Sequence, residues 1–145
     1  MKLSEVEKIR IDVQSEGVSA LSLMISRIGD MMRQGNGSFP VNEYVACSDI
    51  DPNIFLQLIE NFDESVFKFA SVYDHPEKAG QPITYSIAFL DKEENTLIFE
   101  FRFGTETESV GELLPYFESF IAKALQLTND WYALEEKEEN QSHPQ

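Results

Sequence analysis

The sequence predicts an α+β fold: an N-terminal helical segment, a short middle helix, an antiparallel β-meander of three or more strands, and a C-terminal helix packed on the aromatic sheet face. Three observations lead there. Apolar residues recur at helical spacing near both ends of the chain. The period switches to two in the middle, with aromatic residues on one side of each run. The chain has 145 residues, 42% hydrophobic and 12% aromatic, which suits one domain with an ordinary core.

At the N-terminus, Ser4 followed by Glu7 makes a capping box. Val6, Ile9 and Val13 follow at helix spacing, and after Gly17 the pattern resumes through Leu21, Met24, Ile28 and Met31. Ile9, Ile11 and Val13 also alternate, so a strand competes over residues 8–14. We prefer the helix, with a break or bend near Ser15–Gly17 that makes residues 1–34 a helical hairpin or one long bent helix, ended by Gly35-Asn36-Gly37-Ser38. Its stripe of Val, Ile, Leu and Met is expected to face the core or a second copy of the chain.

A short strand is expected near Glu43–Cys47. Residues 52–62 then read as a short amphipathic helix with Ile54, Phe55, Leu58, Ile59 and Phe62 on one face. Three strands follow. Val66–Tyr73 puts Phe67, Phe69 and Tyr73 on one side. Ile83–Leu90 does the same with Ile83, Tyr85, Ile87 and Phe89, and Thr96–Phe103 with Leu97, Phe99, Phe101 and Phe103. Asp91–Asn95 is short enough for a hairpin loop. An aromatic face of this size needs a cover. The stripe Val110, Leu113, Leu114, Phe117, Ile121, Ala124 and Leu125 supplies it, with Pro115 at the start or at a kink. Asn129–Asp130 is expected to cap a last short turn. We expect residues 1–134 to form a single globular domain and residues 135–145 a flexible acidic tail.

The best-looking piece of chemistry is SDIDPNIFLQLIE, residues 48–60. Asp49, Asp51, Asn53 and Glu60 fall at positions 1, 3, 5 and 12 of a twelve-residue calcium loop. Position 6, where such a loop needs glycine for its sharp turn, is Ile54. A helix start accounts for more of the stretch. Asp51 is a capping acceptor, Pro52 a favoured first helical residue, and Asp49 a negative charge near a helix N-terminus. We therefore expect no metal here.

Nor is a catalytic residue or a cofactor expected. His75 reads as an exposed loop residue and His143 lies three positions from the end. Cys47, between Ala46 and Ser48 and close to Val45, reads as a buried structural thiol. A lone cysteine allows no internal disulfide and suits a reducing compartment. The N-terminus has no apolar signal-peptide core, and no apolar run is long enough to span a membrane. A soluble cytoplasmic protein is expected.

Charge is the strongest bulk feature. The net charge is −15, and residues 1–34 balance five bases against five acids. The whole excess therefore lies in residues 35–145. Such a field repels phosphate, so direct nucleic-acid or anionic-membrane binding is not expected. It attracts basic protein surfaces. The expected function is a non-enzymatic, acidic protein-binding module of the inhibitor or immunity type. Its carboxylates would imitate the phosphates of DNA and occupy a basic, nucleic-acid-binding surface on a partner. The residues expected to bind are Glu43, Asp49, Asp51, Asp63, Glu64, Asp91, Glu93 and Glu94. The alternative is a small dimeric secretion-type chaperone or adaptor whose apolar stripe, through Met24, Ile28 and Met31, holds a client segment.

Overall fold

Alternation governs the first third of the chain. In the computed structural model, which describes residues 1–38, 42–72, 83–102 and 113–142, Lys8–Ser15 (β1), Val18–Ser26 (β2) and Asp30–Gly35 (β3) are strands. The expected N-terminal helical segment is corrected: a single 3-10 turn, Leu3–Glu5, is the helical structure described there. Ile9, Ile11 and Val13 are buried on one face of β1, and Leu21, Leu23 and Ile25 on the same face of β2. Their helix-like spacing arises because two alternating strands meet across a two-residue turn. Both turn residues, Glu16 and Gly17, have positive φ (49° and 83°), as a tight hairpin turn requires. Pairing on both sides of β1 outweighs the weak helical preference of the segment.

Val45–Asp49 (β4), Ile83–Leu90 (β5) and Thr96–Arg102 (β6) complete one antiparallel sheet in the order β4-β3-β2-β1-β5-β6. The β5–β6 hairpin and its loop stand as expected, as does the short helix, Asn53–Ile59 (α1), which buries Phe55 and Leu58. Val66–Tyr73 is corrected from strand to a 3-10 segment, Glu64–Val72. Asp63 starts it by accepting hydrogen bonds from Ser65 N (3.0 Å) and Ser65 Oγ (2.7 Å). Val66, Phe67 and Ala70 then turn inward at a spacing of one and three, which suits a helix as well as an apolar strand.

The second helix, Leu113–Ser142 (α2), covers the inner sheet face as expected. Phe117 meets Phe99 at 4.6 Å between ring centroids. Phe120 meets Phe62 at 5.3 Å, and Phe67 meets Phe89 at 5.0 Å. Pro115 lies in the first turn, where its missing N–H is harmless. The helix passes Asn129–Asp130 without interruption and continues through residues 135–142, where the sequence suggests a tail. Glu and Lys are good helix formers, and Glu136 accepts a hydrogen bond from Asn42 Nδ2 at 3.3 Å. No helix among the described residues is long and apolar enough to cross a membrane. Tyr73, Phe103 and Val110 lie outside the described residues.

Among the described residues, one charged side chain is buried in this layer. Arg33 is 2% exposed on the inner face of β3, under α2. Its Nε donates to Gly35 O (3.0 Å), and one terminal nitrogen donates to Thr128 Oγ1 (2.9 Å) and Leu125 O (3.3 Å). The guanidinium lies 4.6 Å from the centre of the Tyr132 ring. The Tyr132 hydroxyl accepts from Gly35 N (3.0 Å) and donates to Tyr44 O. Gly35 itself cannot change, because a Cβ there would lie 2.2 Å from Ala20 O at φ +87°.

These contacts set two expectations for stability. Tyr132→Phe leaves the buried Gly35 N–H without its acceptor and costs about 1–3 kcal/mol. Phe99→Ala empties the aromatic layer and costs about 3–5 kcal/mol. Urea denaturation of each variant measures both.

Candidate functional site

Strand register gathers the acids. Lys8 at the start of β1 pairs with Leu90 at the end of β5, beside the Asp91–Asn95 loop. Lys8 also pairs with Ser26, next to the β2–β3 turn, and Asp30 pairs with Asp49 at the end of β4. The loop, the N-terminal turn and the end of β4 therefore share one end of the sheet. Glu7 N bonds to Leu90 O (2.7 Å), and Arg27 N to Glu7 O (2.8 Å), which fixes the N-terminal segment there. Glu64 joins this end by accepting a hydrogen bond from Leu3 N.

Of the eight residues expected to bind a partner, Asp49, Asp51, Asp63, Glu64, Asp91, Glu93 and Glu94 group on this side of the molecule. Glu43 does not: it precedes β4 at the opposite end of the sheet, where its carbonyl accepts from Gln34 Nε2. Glu106, Glu108 and Glu112 lie outside the described residues, as do His75 and His143. Two carboxylates that the local charge balance hides, Glu5 and Glu7, stand among these acids. With Ser4, Asp91, Lys92 and Glu93 they line a concavity of about 290 Å³.

Several of these acids also build the fold. Asp91 Oδ1 accepts from Glu93 N and Asn95 N (both 2.9 Å), and its Oδ2 accepts from Asn95 Nδ2 (3.0 Å). The Asn95 side chain is the main reason that the Asp91 carboxyl is held below the usual aspartate range. Asp63 is lowered chiefly by the Ser65 hydroxyl. Asp51 Oδ1 accepts from Asn53 N (2.9 Å), the capping role read from the sequence. Glu93 and Glu94 are exposed at the loop tip.

Asp30 and Asp49 face each other on the outer surface of β3 and β4. The pKa of Asp30 is raised, first by its hydrogen bond with the Asp49 side chain, then by desolvation and the Asp49 charge, while Lys8 opposes the rise. Among the described residues no group of three or more His, Cys, Asp or Glu side chains is placed to hold a metal ion. Cys47 is corrected: it is exposed on edge strand β4, because the strand turns Ala46 inward and Cys47 outward. The stripe of Met24, Ile28 and Met31 is also dispersed. Met31 is in the core, Met24 is on the outer face, and Ile28 is 73% exposed in the β2–β3 turn.

A second concavity, of about 250 Å³, lies between α2 and the other end of the sheet, against Val13, Tyr85, Glu118 and Leu125. Burial raises the pKa of Glu118, and raises that of Tyr85 with a further push from the Glu118 charge.

No protein-family model matches the chain, and a search of curated proteins finds no match.

The carboxyl pair gives a pH-dependent expectation. A raised folded-state pKa means that Asp30 favours the fold below its ordinary value of 3.8, and that this contribution is lost as pH rises through the folded value. Asp30→Asn should therefore raise the melting midpoint at pH 7, with the gain vanishing as pH falls below the ordinary aspartate value. Thermal melts of both proteins across that range check the sign.

Proposed function

We propose that this protein is a non-enzymatic binding module whose carboxylate-rich sheet end occupies a basic surface of a partner protein. The observation that carries this reading is the gathering of Glu5, Glu7, Asp91 and Glu93 around one concavity, with Asp49, Asp51 and Glu64 at the same end. Acids held on hairpin loops and strand ends are pre-organised, so little ordering is lost on binding. A surface that otherwise binds nucleic acid is the kind of partner such an array suits, which makes an inhibitor or immunity-type protein the sharpest form of the proposal. Direct binding to nucleic acid or to an anionic membrane is disfavoured by the same field.

The test is capture of partners from host lysate on the immobilised full chain, followed by kinetics on the purified pair. A basic partner released by raised salt is expected, because exposed charges are screened beyond roughly 8 Å at physiological ionic strength. Glu7→Lys with Glu93→Lys should lower the association rate by about tenfold, whereas Glu43→Lys, at the far end, should change it little. Binding indifferent to salt, or equally sensitive to Glu43→Lys, would overturn the proposal.

A further inference from the structure

The sheet has two faces, and the described helices cover only one. α1, the 3-10 segment and α2 all contribute to the core on the inner face. Register lays one row of side-chain positions across the outer face, strand by strand: Ile98, Ala88, Arg10, Met24, Met32 and Cys47. Ile98 is 41% exposed at one edge, and Val45, one row away, is 49% exposed at the other. The row is mostly apolar, and its two methionines adapt to a facing surface.

The charge of this face differs from the rest of the molecule. Lys8 and Arg10 stand against Asp12, Asp30, Asp49 and Glu100, a small share of the total of −15. Register sets Arg10, Asp12 and Glu100 close together on this face. They line an open concavity of about 300 Å³ with Gln14, Thr84 and Ser86. An apolar row with bases as well as acids set close beside it can meet a copy of itself without the repulsion that the rest of the surface would bring.

Size points the same way. Six strands of five to nine residues, spaced about 4.8 Å apart, project roughly 600 Å² before side-chain relief is added, close to the ~800 Å² per partner of a standard interface.

We infer that the outer face binds a second copy of this chain, sheet against sheet, about a two-fold axis running along the strands between β1 and β2. These are the central strands, so this axis covers all six. It lays the apolar row on its own copy. Arg10 then sits over Met24 of the second copy, one row from its Asp12, and Ile98 on one edge faces Cys47 on the opposite edge of the other chain. Asp49 borders both surfaces, but the concavity of Glu5, Glu7, Asp91 and Glu93 lies past the strand ends and remains available for the partner proposed above.

The test uses the full chain. At an ionic strength that screens the two negative copies, sedimentation velocity should show the mass rising with concentration from 16.6 kDa to twice that value. Met24→Lys with Met32→Lys, checked for folding by circular dichroism, should raise the dissociation constant by roughly tenfold or more. An Ile98→Cys variant then reports the geometry. Its two cysteines lie on opposite edges of one sheet, about 24 Å apart, so a bismaleimide matched to the ~10 Å between stacked sheets cannot join them within one chain. Cross-linked peptides joining position 98 to Cys47 between isotopically distinct copies are expected. A strict monomer at all concentrations would overturn the inference. So would cross-links joining only Cys47 to Cys47, which would indicate pairing along the β4 edges instead.

Discussion

A sheet with one apolar face has to be covered, and most of the architecture follows from that need. β1, β2, β5 and β6 each turn alternate residues inward, so Ile9, Ile11, Leu23, Ile87, Phe89 and Phe99 form one continuous surface. Water cannot be left against it. α2 covers it with Phe117, Phe120, Ile121 and Ala124, while α1 and the 3-10 segment fill the margins with Phe55, Leu58, Val66 and Phe67. Large rings bridge the spacing between helix and sheet and pack edge to face, which accounts for the richness in phenylalanine.

Two arginines join this layer to its surroundings. Arg33 ties β3 to α2 through carbonyls, a threonine hydroxyl and the Tyr132 ring. Arg27 ties the N-terminal turn to α1: it donates to Val6 O (2.9 Å) and Leu3 O (3.2 Å) and lies 4.8 Å from the centre of the Phe55 ring. Both cations are engaged by protein groups, Arg33 buried and Arg27 half-buried. The first 34 residues are neutral by count, yet one of their five bases, Arg33, is buried. The electrostatic surface is correspondingly more acidic than the local sum suggests.

The same economy divides the carboxylates. Asp51, Asp63 and Asp91 hold a helix start, a 3-10 start and a hairpin loop. Glu5, Glu7 and Glu93 surround a concavity at one end of the sheet, and Asp12 and Glu100 stand beside Arg10 on the face that the described helices leave open. The molecule thus has two unlike surfaces, one strongly acidic and one of mixed charge crossed by an apolar row. On the proposals above, charge steers encounter at the first while area and shape decide association at the second.

Periodicity and turn chemistry alone determined the α+β class, the β5–β6 hairpin, the helix begun at Asp51-Pro52, and α2 as the cover of an aromatic face. Each is set by neighbours close in the chain, and the pattern of Ile83–Leu90 or Leu113–Leu125 carries its own answer. The N-terminal hairpin was ambiguous, since Ile9, Ile11 and Val13 fit both periods. Pairing with β5, more than seventy residues away, decides it. Likewise Val66, Phe67 and Ala70 suit either element until the Asp63 cap and the inner sheet face select the 3-10 segment. The acidic site was legible as a list of residues and not as a place. Only register brings Glu5 and Glu7 to Asp91 and Glu93 and sends Glu43 to the far end, because contacts between distant segments form once strands have chosen their partners.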